Sequence, residues 1–323
     1  MRFSTYSAES GGGAGKVHKR KAIKKLKALV LSPKIEIEPF NEKLEQLLTS
    51  PRTPAGVDCR EKSFGGVVCD VLSPEVMASN RLILYIHGGG FIAGSRSSWR
   101  SFCSSFAAEA STQLILPGYR LAPQYPYPAA LDDIQIVFRE ILERKIRPHD
   151  NTTQLILAAD GSGASLALAL VQTLTEELRQ SIKSIFLISP WLDMNPQSEF
   201  LIQKKAFDGV LSAENIIHCG NYYTEEENLS KPLISPLYIP PFNLKSFPPV
   251  YIQCGGEELI LESCKAFQQK LEENAIPCTL DIWPEMMFMF QMAHEYLPQA
   301  HFAIHRIGQC IQNLNKTLEQ ETE

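Results

Sequence analysis

From residue 57 onward, hydrophobic and polar positions follow two alternating periods. Short apolar runs at 82–86, 113–116, 154–159, 185–188, 250–254 and 279–283 have the length of buried strands. Between and after them, the stretches 129–142, 165–178, 262–271 and 299–314 repeat apolar residues at helical spacing. Strands alternating with helices predict an α/β fold with a mostly parallel sheet covered on both faces, and such sheets bind ligands at the carboxyl ends of their strands. Ahead of these runs, 57–64 and 67–72 flank Gly65 and Gly66, a pair suited to a hairpin turn at positive φ, so an antiparallel edge is expected. Two stretches fall outside the rhythm. They predict an arm with cap helices over residues 1–55 and a cap insertion at about 194–231, within an α/β domain spanning 56–323.

Composition narrows the class. The chain has 323 residues, 44% hydrophobic and 21% charged, which describes an ordinary globular protein. Charge is unevenly placed: of 31 Lys and Arg, seven (Lys16, Lys19, Arg20, Lys21, Lys24, Lys25, Lys27) fall within twelve residues that hold no acid, leaving 24 bases against 36 acids elsewhere. With Val17, Ile23, Leu26 and Val30 interleaved, this segment is a candidate basic amphipathic helix for a protein partner or an anionic surface, although a solvated cap helix or an arm explains it equally. Nucleic acid is not an expected partner. Eight scattered cysteines without CxxC spacing suggest neither a disulfide framework nor a zinc cluster, and no metal or cofactor is expected. No run reaches the ~20 apolar residues of a membrane span, and the first sixteen residues lack the apolar core of a secretory signal. A cytoplasmic protein is the expectation.

Candidate chemistry begins at His87-Gly88-Gly89-Gly90-Phe91, directly after the 82–86 run, where glycines expose backbone N–H groups as an oxyanion hole requires. About 30 residues later comes Tyr119-Arg120-Leu121-Ala122-Pro123, continuing to Pro128-Ala129-Ala130-Leu131-Asp132-Asp133. Further blocks are Ser189-Pro190-Trp191-Leu192-Asp193, Leu233-Ile234-Ser235-Pro236-Leu237-Tyr238, Gly255-Gly256-Glu257 and Trp283-Pro284. In this order, over roughly residues 55 to 315, they resemble the hormone-sensitive-lipase-like esterases (alpha/beta hydrolase fold-3). The resemblance implies an α/β-hydrolase fold with a helical cap, and a Ser-His-acid site for carboxylic esters.

It also implies where the catalytic groups belong. The family's nucleophile sits in an elbow of form G-D-S-A-G-G, with small residues two before and two after the serine. Here the elbow reads Ala159-Asp160-Gly161-Ser162-Gly163-Ala164. Aligning Asp160 puts small residues at 159 and 163 and a glycine, Gly161, at the nucleophile position. Ser162 and Ser165 are the alternative hydroxyls. Ser162 in that role would put Asp160 at the crowded position, and Ser165 falls in the first helical turn, where local backbone bonding is its usual use. Glu257 is the implied acid, with a solvated loop carboxylate as the ordinary alternative. At the base position, Trp283-Pro284-Glu285-Met286-Met287-Phe288 offers Phe288 in place of histidine. His294, His301 and His305 fit a helix surface, and His87 is implied to shape the glycine loop.

A serine hydrolase without its nucleophile or base loses on the order of 10⁶ in kcat, so ester hydrolysis by the usual route is not expected. The leading expectation is a binding site for a small apolar ligand carrying a carboxylate or ester oxygen, held by the N–H groups of Gly88, Gly89 and Ser162, in a pocket that Gly161 makes roomier. The alternatives are a scaffold acting through its surface, and a weak or unconventional esterase using Glu257 or another serine.

Overall fold

Strand interiors such as Leu82, Ile83, Leu84, Tyr85 and Ile86 carry no polar residue because helices cover both faces of the sheet they enter, and all five are buried. The computed structural model describes residues 13–49, 56–77, 81–144, 154–202 and 208–314. The sheet contains β1 (Val57–Phe64), β2 (Val67–Pro74), β3 (Arg81–Ile86), β4 (Gln113–Pro117), β5 (Gln154–Asp160), β6 (Ile182–Ile188), β7 (Val250–Gly255) and β8 (Cys278–Trp283). Their spatial order is β1-β2-β4-β3-β5-β6-β7-β8. β1 and β2 pair antiparallel, as do β2 and β4, and the remaining pairs are parallel. Gly65 and Gly66 turn the first hairpin at φ +57° and +93°, as the sequence predicts.

Helices follow the strands, with two departures from the sequence pattern. The stretch 165–178 divides into α5 (Gly161–Thr173) and α6 (Glu176–Gln180), because α5 starts at the turn leaving β5 and the Thr175 hydroxyl caps a new helix by accepting from Leu178 N–H. α3 (Arg96–Ala110) gave no clear signal, since serines interrupt its apolar face. A capping box between Ser95 and Ser98 starts it. The remaining domain helices are α4 (Ala129–Arg144), α9 (Leu261–Glu273) and α10 (Pro298–Gln312).

The stretches outside the rhythm are helical too. The first contains α1 (Gly13–Lys27) and α2 (Ile37–Leu48); the second contains α7 (Glu199–Ile202) and α8 (Ala213–Tyr223). Residues 1–12, 50–55 and 203–207 of these expected cap regions lie outside the described residues. α1 and α2 bury Ala22, Leu26, Phe40 and Leu44 against the body, and the two stretches meet where Asn215 Nδ2 donates to Leu31 O at 2.8 Å.

Candidate functional site

The site is built where β3 and β5, neighbours in the sheet, release their chains together. β5 ends at Asp160, Gly161 turns at φ +49°, and α5 begins at once. That turn demands a near contact: a β-carbon on Gly163 would lie 2.2 Å from Ile86 O and 2.3 Å from His87 O, so glycine alone fits. Gly161 differs. Its β-carbon would lie 3.7 Å from Phe288 Cζ and 3.9 Å from Gly88 Cα, ordinary contact distances, so only the left-handed backbone favours glycine there.

Asp160 fastens the glycine loop to this turn. Its carboxylate accepts from Tyr85 OH at 2.8 Å and Trp99 Nε1 at 2.9 Å, and its Oδ2 packs so closely on Gly88 that a β-carbon there would lie 2.3 Å away. Burial lifts its pKa to about 7 against these hydrogen bonds. Gly88 itself, against the expectation that it faces a ligand, is not among the residues lining the cavity. Gly89 and Gly90 line the cavity instead, beside Gly161 and Ser162. His87 shapes the loop as expected: its Nδ1 donates to Gly88 O at 2.7 Å and its ring stacks on Tyr119. Full burial lowers its pKa to about 4, so the ring is neutral near pH 7.

The two alternative serines differ in their surroundings, and only Ser162 borders the cavity. Ser162 is buried, its Oγ accepting from Phe91 N–H at 3.2 Å, and Ser165 Oγ donates to Trp191 O at 2.5 Å. The N–H of Ser162 belongs to the first turn of α5, whose amides have no partner within the helix.

On the acid side the structure separates two adjacent glutamates. Glu257 points away toward α1, where its carboxylate accepts from Lys19 Nζ at 2.9 Å and keeps 38% exposure. Glu258 is the one buried beside the Phe288 loop. Its Oε1 accepts from Ser189 Oγ at 2.8 Å and Gly255 N–H at 2.6 Å, while Ser189 Oγ accepts from the N–H of Met289 at 3.2 Å. Its Oε2 is buried with no hydrogen-bond partner. Burial, with negative Asp208 nearby, raises the Glu258 pKa well above the usual carboxylate range. Asp208 ties the same region together by accepting from the N–H groups of Val210 and Leu259. In the sequence Glu257 is the implied acid, and nothing there singles out Glu258, Ser189 or Asp208, which the structure places beside the Phe288 loop. Gly255-Gly256 turns the chain so that the next two residues face opposite ways, a signal that two adjacent carboxylates alone do not resolve.

Phe288 is buried, with its ring 6.4 Å from that of Trp191. His294, His301 and His305 lie outside this cluster; His305 Nδ1 sits 2.8 Å from Glu109 on the surface. The space enclosed among Gly89, Gly161, Phe288 and Trp191 is about 20 Å³, room for roughly one water. Leu29, Val30 and Leu31, from the turn after α1, line it together with Met289 and Met292. The site is therefore tighter than the sequence implied.

Among the described residues no group of three or more His, Cys, Asp or Glu is placed to hold a metal, and no helix is long and apolar enough to cross a membrane. The family described as alpha/beta hydrolase fold matches residues 83–292, the span from β3 to just past Phe288. The chain belongs to this family. It is 31% identical to an esterase of Acinetobacter venetianus over 90% of this chain and 94% of that one. It is 30% identical to an acetyl-hydrolase of Streptomyces hygroscopicus over 71% and 74%. Its fold matches the crystal structure of an esterase from the bacterial hormone-sensitive lipase family with a TM-score of 0.80, at 24% identity, over 95% of this chain and 99% of that one. The α/β-hydrolase fold, with its mostly parallel sheet, and the kinship to carboxylesterases and lipases are thus established.

Proposed function

We propose that this family member does not hydrolyse esters by the Ser-His-acid route and that its fold serves binding at its surface, with the ancestral site held shut. One observation carries this reading: the residue at the elbow, facing the glycine loop and the Phe288 ring, is Gly161, which brings no nucleophilic atom. The orphaned Glu258 Oε2 supports it. A histidine at 288 would present a ring N–H to a carboxylate in this place, whereas a phenylalanine leaves the oxygen bare in a setting whose burial raises the carboxyl's pKa. Closure by Leu29, Val30 and Leu31 favours a role that needs no open pocket, because ligand pockets typically enclose about 300–1,000 Å³.

A second reading keeps the small apolar ligand with a carboxylate or ester oxygen. Gly89, Gly90 and the first turn of α5 still border the cavity, and α1 is strapped over it by half-exposed ion pairs, Lys19 to Glu257 and Lys25 to Glu295. Such pairs are individually weak, so ligand entry would need the cap to lift. Native mass spectrometry of freshly purified protein checks this reading by looking for a retained small molecule.

The relatives bearing the names esterase and acetyl-hydrolase favour hydrolysis instead. A fluorophosphonate, which marks activated serines, separates the two cases by intact mass. No adduct is expected on the native chain, and an adduct on Ser162 or Ser165 would refute the non-hydrolytic reading.

A further inference from the structure

The cap helix α1 is two-sided in a way that the closed site does not use up. Its inner face seats Ala22 and Leu26, both fully buried, and its flanks carry the straps Lys19 to Glu257 and Lys25 to Glu295. At about 100° per residue, Lys16, Lys27, Arg20, Lys24 and Lys21 fall in that order across an outer arc of about 140°, and all five are exposed. No acid occurs on the helix, and Val17, 49% exposed, sits among the five cations. Lys16, Arg20, Lys24 and Lys27 form a row about 17 Å long. The rest of the chain holds 24 bases against 36 acids, so an anionic partner is repelled elsewhere and drawn to this row.

We propose that the outer face of α1 docks on an anionic phospholipid surface while its inner face stays on the protein. The row runs the length of the helix within an arc of about 80°, on one side, as contact with a planar array of headgroup phosphates requires. Four of the arc's five cations are lysines, point charges that suit diffuse headgroup adsorption more than the forked recognition at which arginine excels. Val17 supplies a single apolar contact at the headgroup level, too little for insertion, so the attachment is electrostatic and reversible. The arc contains no aromatic side chain on which nucleic-acid bases would stack. The proposal stands whether or not the site beneath is catalytic.

The test is cosedimentation of the full chain with vesicles of phosphatidylcholine alone or with about 30% phosphatidylserine, at about 0.1 M salt, a concentration that leaves surface charges partly unscreened. Binding is expected only to the anionic vesicles, to be lost at about 0.5 M salt, and to weaken at least tenfold, roughly, in Lys16→Gln/Arg20→Gln/Lys24→Gln/Lys27→Gln. A control, Lys62→Gln/Lys245→Gln/Lys265→Gln, is expected to bind like the parent, and both variants to melt at the parent's temperature. Equal binding to neutral vesicles, no binding to either, or an unchanged affinity in the fourfold variant overturns the proposal. A nucleic-acid duplex bound more tightly than the vesicles at the same salt overturns the lipid assignment.

Discussion

A β-carbon built on Gly161 would lie 3.7 Å from Cζ of Phe288, so the two residues that we propose stand at the nucleophile and base positions face each other across a gap that a side chain could still occupy. The elbow keeps its turn at φ +49°, and Gly88 of the glycine loop packs against Asp160.

The two elbow glycines should respond differently to substitution. Gly161→Ser meets only ordinary contacts and carries the cost of a left-handed side-chain residue, about 1 kcal/mol. Gly163→Ala drives a β-carbon to 2.2 Å from a backbone carbonyl, and about 3 kcal/mol or more is expected. Urea denaturation of both variants reads the difference; equal losses would show that the elbow is not packed as described.

The neighbouring glutamates separate in a background carrying Gly161→Ser and Phe288→His. There, Glu258→Gln should cut acetyl-ester turnover by about a hundredfold or more, by weakening the orientation of the new imidazole. Glu257→Gln should leave turnover within about twofold and cost under about 1 kcal/mol of stability, since it breaks only a partly exposed pair with Lys19. The reverse ranking would restore Glu257 as the acid.

Stability should fall as pH rises above 6.5. Glu258, raised well above its ordinary range, and Asp160, raised to about 7, keep protons in the folded chain that the unfolded chain releases. Their contribution is complete below the unfolded carboxyl values and is lost as pH climbs through the folded ones. His87, lowered from 6.5 to about 4, acts oppositely, losing its contribution as pH falls, and it offsets Asp160 between those values. Above 6.5 the carboxyls act alone, each by up to about 1.4 kcal/mol per pH unit. Melting curves from pH 6.5 to about 9 should therefore shift downward, and Glu258→Gln, which cannot ionise, should flatten the trend.

Closure by the cap predicts a size limit. Leu31 lines the cavity and is 1% exposed. In the Gly161→Ser/Phe288→His background, Leu31→Ala should raise turnover of butyrate esters relative to acetate esters, while costing about 2–5 kcal/mol of stability. An unchanged chain-length preference would mean that substrate enters elsewhere.

The sheet was readable because its strands are buried on both faces and its helices carry an uninterrupted apolar period. α3 escaped because serines occupy positions that its period would otherwise mark. At the site, Gly161, Phe288 and the small residue at 163 were legible, since each holds a fixed place in a local motif. Three features required three-dimensional contacts: the inward turn of Glu258 rather than Glu257, the packing of Gly88 against Asp160, and the lining of the cavity by Leu29 to Leu31. Each arises between segments distant in the chain, where one side chain's burial depends on another's placement.

The most direct measurement is acetyl-ester hydrolysis by the native chain beside its Gly161→Ser/Phe288→His variant, at equal concentration and matched folding. The native chain should not exceed the uncatalysed background beyond the ~10³–10⁴ that binding and amide donors supply, and the double variant should turn over well above it. Native turnover that equals the variant's, and that Ser162→Ala or Ser165→Ala abolishes, would contradict the account.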